Sequence, residues 1–224
     1  MDISGIDYLG LDRVLKRGSG EVIVNREDAL FIYDRVSGAY MLACTDAATG
    51  IPILDRYKCN GYDLLMVSDY TTGKAAFERY GFSGKLECYQ VAYYGKKPQT
   101  GGLLSVRTAD ESDLSMLTET YDLISPEELK KVVYRKSILL GYNRDRLIGF
   151  IGEHLEGSMG ILYIFPEYRH RGFGSELQAR FIAKTMEEGC VPFGQVEKEN
   201  RASLRLQKKL GMTQSDNLIV WMWR

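Results

Sequence analysis

Leu162-Tyr163-Ile164-Phe165-Pro166-Glu167-Tyr168-Arg169-His170-Arg171-Gly172-Phe173-Gly174-Ser175-Glu176-Leu177 is the stretch from which the rest of the chain can be read. It opens as a short apolar run of strand character, and Pro166 stops the ladder because it has no N–H to give. A basic, glycine-punctuated loop follows, and a helix starts near Gly174. Strand, glycine loop and helix N-terminus together form a cradle for a phosphate or pyrophosphate. Glycine removes the side chain where an anion must approach the backbone, and first-turn N–H groups are free to point at it. Arg169, His170 and Arg171 add positive charge beside the same spot. No G-x-G-x-x-G follows the strand and no Gly-Lys-Ser/Thr closes the turn, so this is neither a dinucleotide fingerprint nor a P-loop.

Composition sets the frame. A chain of 224 residues holds one large domain or two small ones, and 45% hydrophobic residues suffice for a core. The net charge of −1 gives no global attraction to nucleic acid or membrane, so neither is expected as a partner. No apolar run approaches a membrane span, and the first residues lack the charged-then-apolar order of a signal peptide; a cytoplasmic protein is expected. Cys44, Cys59, Cys88 and Cys190 stand far apart with no C-x-x-C pair, which suits reduced structural thiols. His154 and His170 are the 2 histidines, and no metal site is expected.

Residues 6–16 carry a loose helical stripe ended by Gly18-Ser19-Gly20, and 21–24 reads as a strand. Residues 29–35 and 39–44 form a hairpin across Ser37-Gly38. A short helix is expected at 52–57, a buried strand at 62–67, a helix at 71–80 ended by Gly81, and a sheet edge at 85–94. Residues 95–102 are the clearest linker. Beyond it come a strand at 103–107, a helix from Asp110 to about Tyr121, and a capped helix from Ser125-Pro126 to Arg135. Strands at 137–142, 147–153 and 159–165 follow, then a helix at 174–188 and a strand at 192–197. The last helix shows a core stripe of Ala202, Leu206 and Leu210, and residues 219–223 close the sheet.

The tract Leu162–Gly174 resembles the acyl-CoA-binding motif of the GNAT superfamily of N-acetyltransferases. Asn200-Arg201-Ala202-Ser203-Leu204-Arg205-Leu206-Gln207-Lys208-Lys209-Leu210-Gly211-Met212 resembles that family's second motif, in which an Asn opens the helix and Leu-Gly-Met ends it. Its wording is closest to the glycine-N-acyltransferase-like branch, and the resemblance extends from about Leu103 to Arg224. It implies a mixed α/β (α+β) GNAT fold with a central, mostly antiparallel twisted sheet flanked by helices. Phe77-Glu78-Arg79-Tyr80-Gly81-Phe82 also matches the end of the second motif. Residues 1–98 are therefore read as a smaller, degenerate GNAT-like domain that has lost the phosphate loop, with 99–224 as the catalytic GNAT domain.

The resemblance implies acetyl-CoA, or another acyl-CoA, as cosubstrate and a small-molecule or amino-acid-like amine as acceptor. In the family, neighbouring strands splay apart and the pantetheine arm enters the wedge. Backbone groups of Leu162, Tyr163 and Ile164 would bond that arm. The loop from Arg169 through His170, Arg171, Gly172, Phe173 and Gly174 to Ser175 would hold the pyrophosphate. Asn200 would bond the pantetheine, cap the last helix, or both. Where many members place a tyrosine acid, this chain has Gln207. Glu153, His154, Glu156 and Glu197 are the candidates for general base, each also readable as a solvated strand-end group. Arg201, Arg205, Lys208 and Lys209 partly suit a ribose phosphate or a solvated helix face. Tyr121, Tyr134 and Tyr163 fit the acceptor side or the core. A tandem-domain acyl-CoA-dependent N-acetyltransferase is expected, with a homodimer left open; the alternative is a catalytically silent acyl-CoA-binding regulatory or scaffold protein.

Overall fold

An unbroken apolar run such as Ala29-Leu30-Phe31-Ile32 asks for cover on both faces of a sheet. In the computed structural model, which describes residues 1–58 and 61–224, that cover is present. The first half runs α1 (Leu9–Lys16), β1 (Gly20–Asn25), β2 (Ala29–Asp34), β3 (Tyr40–Cys44), α2 (Ala47–Tyr57), β4 (Leu64–Val67), α3 (Tyr70–Tyr80) and β5 (Gly84–Ala92). The second runs β6 (Ser105–Thr108), α4 (Leu114–Thr120), α5 (Pro126–Tyr134), β7 (Ile138–Asn143), β8 (Arg146–Gly152) and β9 (Tyr163–Ile164). It ends with α6 (Phe173–Glu187), β10 (Phe193–Glu197), α7 (Arg201–Lys209) and β11 (Thr213–Trp223).

The chain forms two compact units. One comprises Met1–Ala92, Gln195–Lys208 and Met212–Arg224; the other comprises Tyr93–Gly194 and Lys209–Gly211. The first is built on a 7-stranded sheet in the order β1-β2-β3-β4-β11-β5-β10. Alternate residues of its central strands serve opposite faces. Phe31, Leu42, Leu65, Val67, Val220 and Met222 join Ile53 and Leu54 of α2 and Ala76 of α3 in one core. Ile32, Met41, Met66, Ile219 and Trp221 join Leu11 and Val14 of α1 in the other. A period of two along each strand thus feeds two hydrophobic layers.

The sheet departs from expectation at two places. β5 is no edge, since it lies between β11 and β10. β11 does not close the sheet of its own half; it pairs antiparallel with β4 at Trp221↔Met66 and with β5 at Trp221↔Leu86. The sequence boundary at 98/99 therefore does not coincide with the division into compact units. The short helix expected at 52–57 starts at Ala47 instead, because the Asp46 carboxylate accepts the Thr49 N–H at 2.8 Å and caps it. In α7 the expected stripe is replaced: Ala202 is exposed, Leu206 and Leu210 are half-buried, and Gln207 is buried.

The second unit carries a 4-stranded antiparallel sheet, β6-β7-β8-β9. The strand expected at 159–165 is reduced to Tyr163–Ile164, paired with Phe150 and Gly149, plus isolated bridges from Met159 to Glu153 and to Gly194. α6 buries Leu177, Phe181 and Ile182. Glu176 of α6 accepts the Gly101 N–H at 2.6 Å and so fastens the linker.

Candidate functional site

The strand–loop–helix of residues 162–176 lies wholly within the second unit. Phe165 N donates to Ile148 O at 3.0 Å, and Pro166–Tyr168 forms a 3-10 turn. Arg169 is turned back on the strand: its Nε donates to Ile164 O at 2.9 Å and its guanidinium lies 5.6 Å from the centroid of the Tyr163 ring. This side chain fixes the loop, and its guanidinium stays charged and exposed beside the helix start. Arg171 is exposed, and His170 is held at φ 61, a conformation that costs a non-glycine residue energy.

Gly172 is the N-cap of α6 at φ 84, the left-handed conformation that glycine adopts without strain, and no side chain caps the helix. The first i→i−4 bond runs from Glu176 N to Gly172 O at 3.1 Å. The N–H groups of Phe173, Gly174 and Ser175 therefore stand ahead of the ladder, at the positive end of a helix 15 residues long. A Cβ added at Gly174 would meet only Ile164 Cγ1, at 3.6 Å, an ordinary contact. Packing does not require glycine there. Glu176 is buried, with one carboxylate oxygen on Gly101 and the other on Arg180 Nε at 3.1 Å.

The other candidates divide between the units. Glu153, His154 and Glu156 share the second unit with Leu162 to Ser175, whereas Glu197, Asn200 and Gln207 belong to the first. Glu153 is half-buried at the Met159 bridge. Glu156 is buried and accepts a hydrogen bond from Ser158 Oγ. Glu197 is exposed at the end of β10. Asn200 Oδ1 accepts the Ser203 N–H at 3.0 Å, so Asn200 acts as a cap of α7. Of the tyrosines, Tyr121 is buried edge-on to Phe150, at 6.0 Å between centroids, and burial pushes its phenol up to about 12. Tyr163 stacks on Phe150 at 5.6 Å. Tyr134 is 51% exposed and belongs to no core.

One pair escaped sequence reasoning. Glu128 Oε1 of α5 lies 3.7 Å from His154 Nδ1. Glu128 reads locally as an ordinary first-turn acid, and only the tertiary fold brings it to the histidine. Among the described residues no group of three or more His, Cys, Asp or Glu is placed to hold a metal ion, and no helix is long and apolar enough to cross a membrane.

Residues 139–222 match the FR47-like protein family. Among solved structures, a Drosophila protein is 17% identical with a TM-score of 0.65, covering 99% of this chain and 91% of its own. A protein from Novosphingobium aromaticivorans assigned to the GNAT acetyltransferase family is 16% identical with a TM-score of 0.62, covering 98% and 97%. A GCN5-related N-acetyltransferase-like protein from Streptococcus suis is 15% identical with a TM-score of 0.59, covering 96% and 92%. The fold is that of the GNAT acetyltransferases. The aligned regions take in the first half of the chain as well as the second. No curated protein matches the chain.

Proposed function

We propose that the chain is an acyl-CoA-dependent N-acyltransferase. It would move an acetyl group from acetyl-CoA, or the acyl group of another acyl-CoA, to a primary amine of a small-molecule or amino-acid-like acceptor. The observation that carries this is the start of α6. Backbone donors without a capping side chain, a left-handed glycine and an open Cβ position at Gly174 together suit a pyrophosphate. Leu162, Tyr163 and Ile164 lead directly into that cradle and supply backbone partners for the pantetheine arm.

Acyl transfer needs a neutral amine, a sink for its proton and a leaving thiolate. A CoA thiol has an ordinary pKa near about 8.5, so the thiolate leaves without a dedicated acid. Gln207 suits that chemistry as a hydrogen-bonding amide and not as an acid, because an amide gives up no proton at neutral pH. Glu153, Glu156 and Glu197 remain the carboxylates to test. Residues 1–98 are proposed to be a degenerate copy of the same fold; the repeated order of three antiparallel strands, helix, strand, helix, strand supports it.

Calorimetry with acetyl-CoA, followed by free-thiol release across a panel of amines, tests the proposal. Binding with amine-dependent thiol release is expected. A buried Gln207 where a tyrosine acid is common in the family favours the rival, a silent acyl-CoA-binding protein. Binding without release on any amine would select that rival.

A further inference from the structure

We propose that His154, oriented by Glu128, is the group that takes the proton from the acceptor amine, an assignment that rests on the acyltransferase reading above. His154 sits in the turn after β8, its N–H bonded to Ser158 O at 2.9 Å and its carbonyl accepting from Gly157 at 2.9 Å. The imidazole lies against Gly160: a Cβ there would stand 2.2 Å from Nε2 and 2.4 Å from Cδ2. Gly160 thus leaves the space the ring occupies. Nδ1 faces Glu128 at 3.7 Å, an ion-pair separation, and the side chains of His154 and Glu128 remain 29% and 31% exposed. The carboxylate favours a proton on Nδ1, which makes Nε2 the basic nitrogen.

That nitrogen packs against Gly160, which precedes the strand on the side away from the α6 N-terminus. An arm that begins at the α6 N-terminus and follows Ile164, Tyr163 and Leu162 carries its thioester onward toward Gly160. Gly160 lies four positions before Ile164, at most about 14 Å away when the chain is extended. In the transfer, the amine nitrogen bonds to the acyl carbon and the C–S bond breaks. CoA leaves as the thiolate with that electron pair, and the N–H proton passes to Nε2 and then to water.

The charged groups facing His154 are Glu128 from α5 and Glu156 from its own turn. Burial alone would lower the imidazole pKa, but the Glu128 carboxylate at 3.7 Å and the charge of Glu156 outweigh it, and the net shift is upward. The imidazole is a base only when neutral, so the rate should rise with pH through this raised value.

The experiment uses the full chain: kcat and kcat/KM against pH for wild type, His154→Gln and Glu128→Gln, with acetyl-CoA affinity measured on each. An NMR titration of the imidazole accompanies it, assigned by the signal missing in His154→Gln. His154→Gln should lose about a hundredfold or more in kcat with acetyl-CoA affinity kept. Glu128→Gln, a positioning change, should move both the acid limb and the imidazole titration to lower pH. Should His154→Gln fail to fold, the Glu128→Gln shift alone decides. Wild-type turnover in His154→Gln, or an unmoved acid limb in Glu128→Gln, overturns this assignment alone. Bound acetyl-CoA with no thiol release from wild type on any amine overturns the acyltransferase reading and this assignment with it.

Discussion

Two helix starts occupy the same place in the element order, each following three antiparallel strands: α2 after β1–β3, and α6 after β7–β9. Their chemistry is opposite. At α2, the Asp46 carboxylate takes the Thr49 N–H, and Gly50 is packed so tightly that a Cβ would lie 2.5 Å from Thr72 Cγ2 and 2.8 Å from Cys44 Sγ. At α6, no side chain caps the helix, and a Cβ at Gly174 would touch Ile164 alone. The glycine of the first serves packing, while a side chain at the second would make only an ordinary contact with Ile164. One junction is closed by its own carboxylate; the other has no side chain on its first-turn donors.

The comparison breaks most severely under truncation. A chain beginning near Gly101 keeps the cradle of α6 but lacks β4 and β5, between which β11 lies. It should fail to give a cooperative melt and should bind no acetyl-CoA. A soluble fragment of full affinity would mean that the second half can close its own sheet.

Paired glycine substitutions sharpen the contrast. Gly174→Val should cost acetyl-CoA binding at least about tenfold, about 1.4 kcal/mol, with an unchanged melting temperature. Gly50→Ala should do the reverse, costing about 1–3 kcal/mol of stability through overpacking while acetyl-CoA affinity holds. At this chain length each kcal/mol lowers the melting temperature by about 2–4 °C. Calorimetry and thermal melts on both variants read the two effects separately. If Gly174→Val also unfolds the protein, or leaves affinity unchanged, the cradle lies elsewhere.

Which features the sequence disclosed follows from how local their causes are. Pro166, Gly172 and Gly174 act on their own backbone, so the strand–loop–helix was readable in place. The Ser37-Gly38 turn and the Gly81 stop were readable for the same reason, with Gly38 at φ 76 and Gly81 at φ 68. Strand partners are not local. The run from Ile219 to Trp223 announces a strand, yet nothing in it selects β4 and β5 as neighbours. Asp46-Ala47-Ala48-Thr49 carried a cap signal that Pro52 obscured, because a proline inside a helix usually marks its start. Arg169 showed its charge in the sequence but not its Nε bond to the Ile164 carbonyl, which depends on how the loop folds back on the strand. The pairing of Glu128 with His154 depends on α5 meeting the turn after β8, which no sequence pattern announces.

The smallest effect asks whether the carboxylate at α2 is what shuts that junction. Asp46→Ala removes the acceptor of the Thr49 N–H and one negative charge, which costs about 1 kcal/mol of stability. Wild type should saturate at one equivalent of acetyl-CoA, because among the described residues only α6 combines uncapped donors, an open glycine and adjacent basic residues. The variant should still saturate at one. Asp46 has an extended backbone, φ −167, in place of the left-handed turn of Gly172, and Gly50 remains enclosed by Cys44 and Thr72. The loss of a cap does not rebuild a loop. Isothermal titration of Asp46→Ala with acetyl-CoA decides the matter. A second equivalent of comparable affinity would mean that the first junction retains a whole cradle, masked by a single side chain, and that the two halves differ by that residue rather than by backbone.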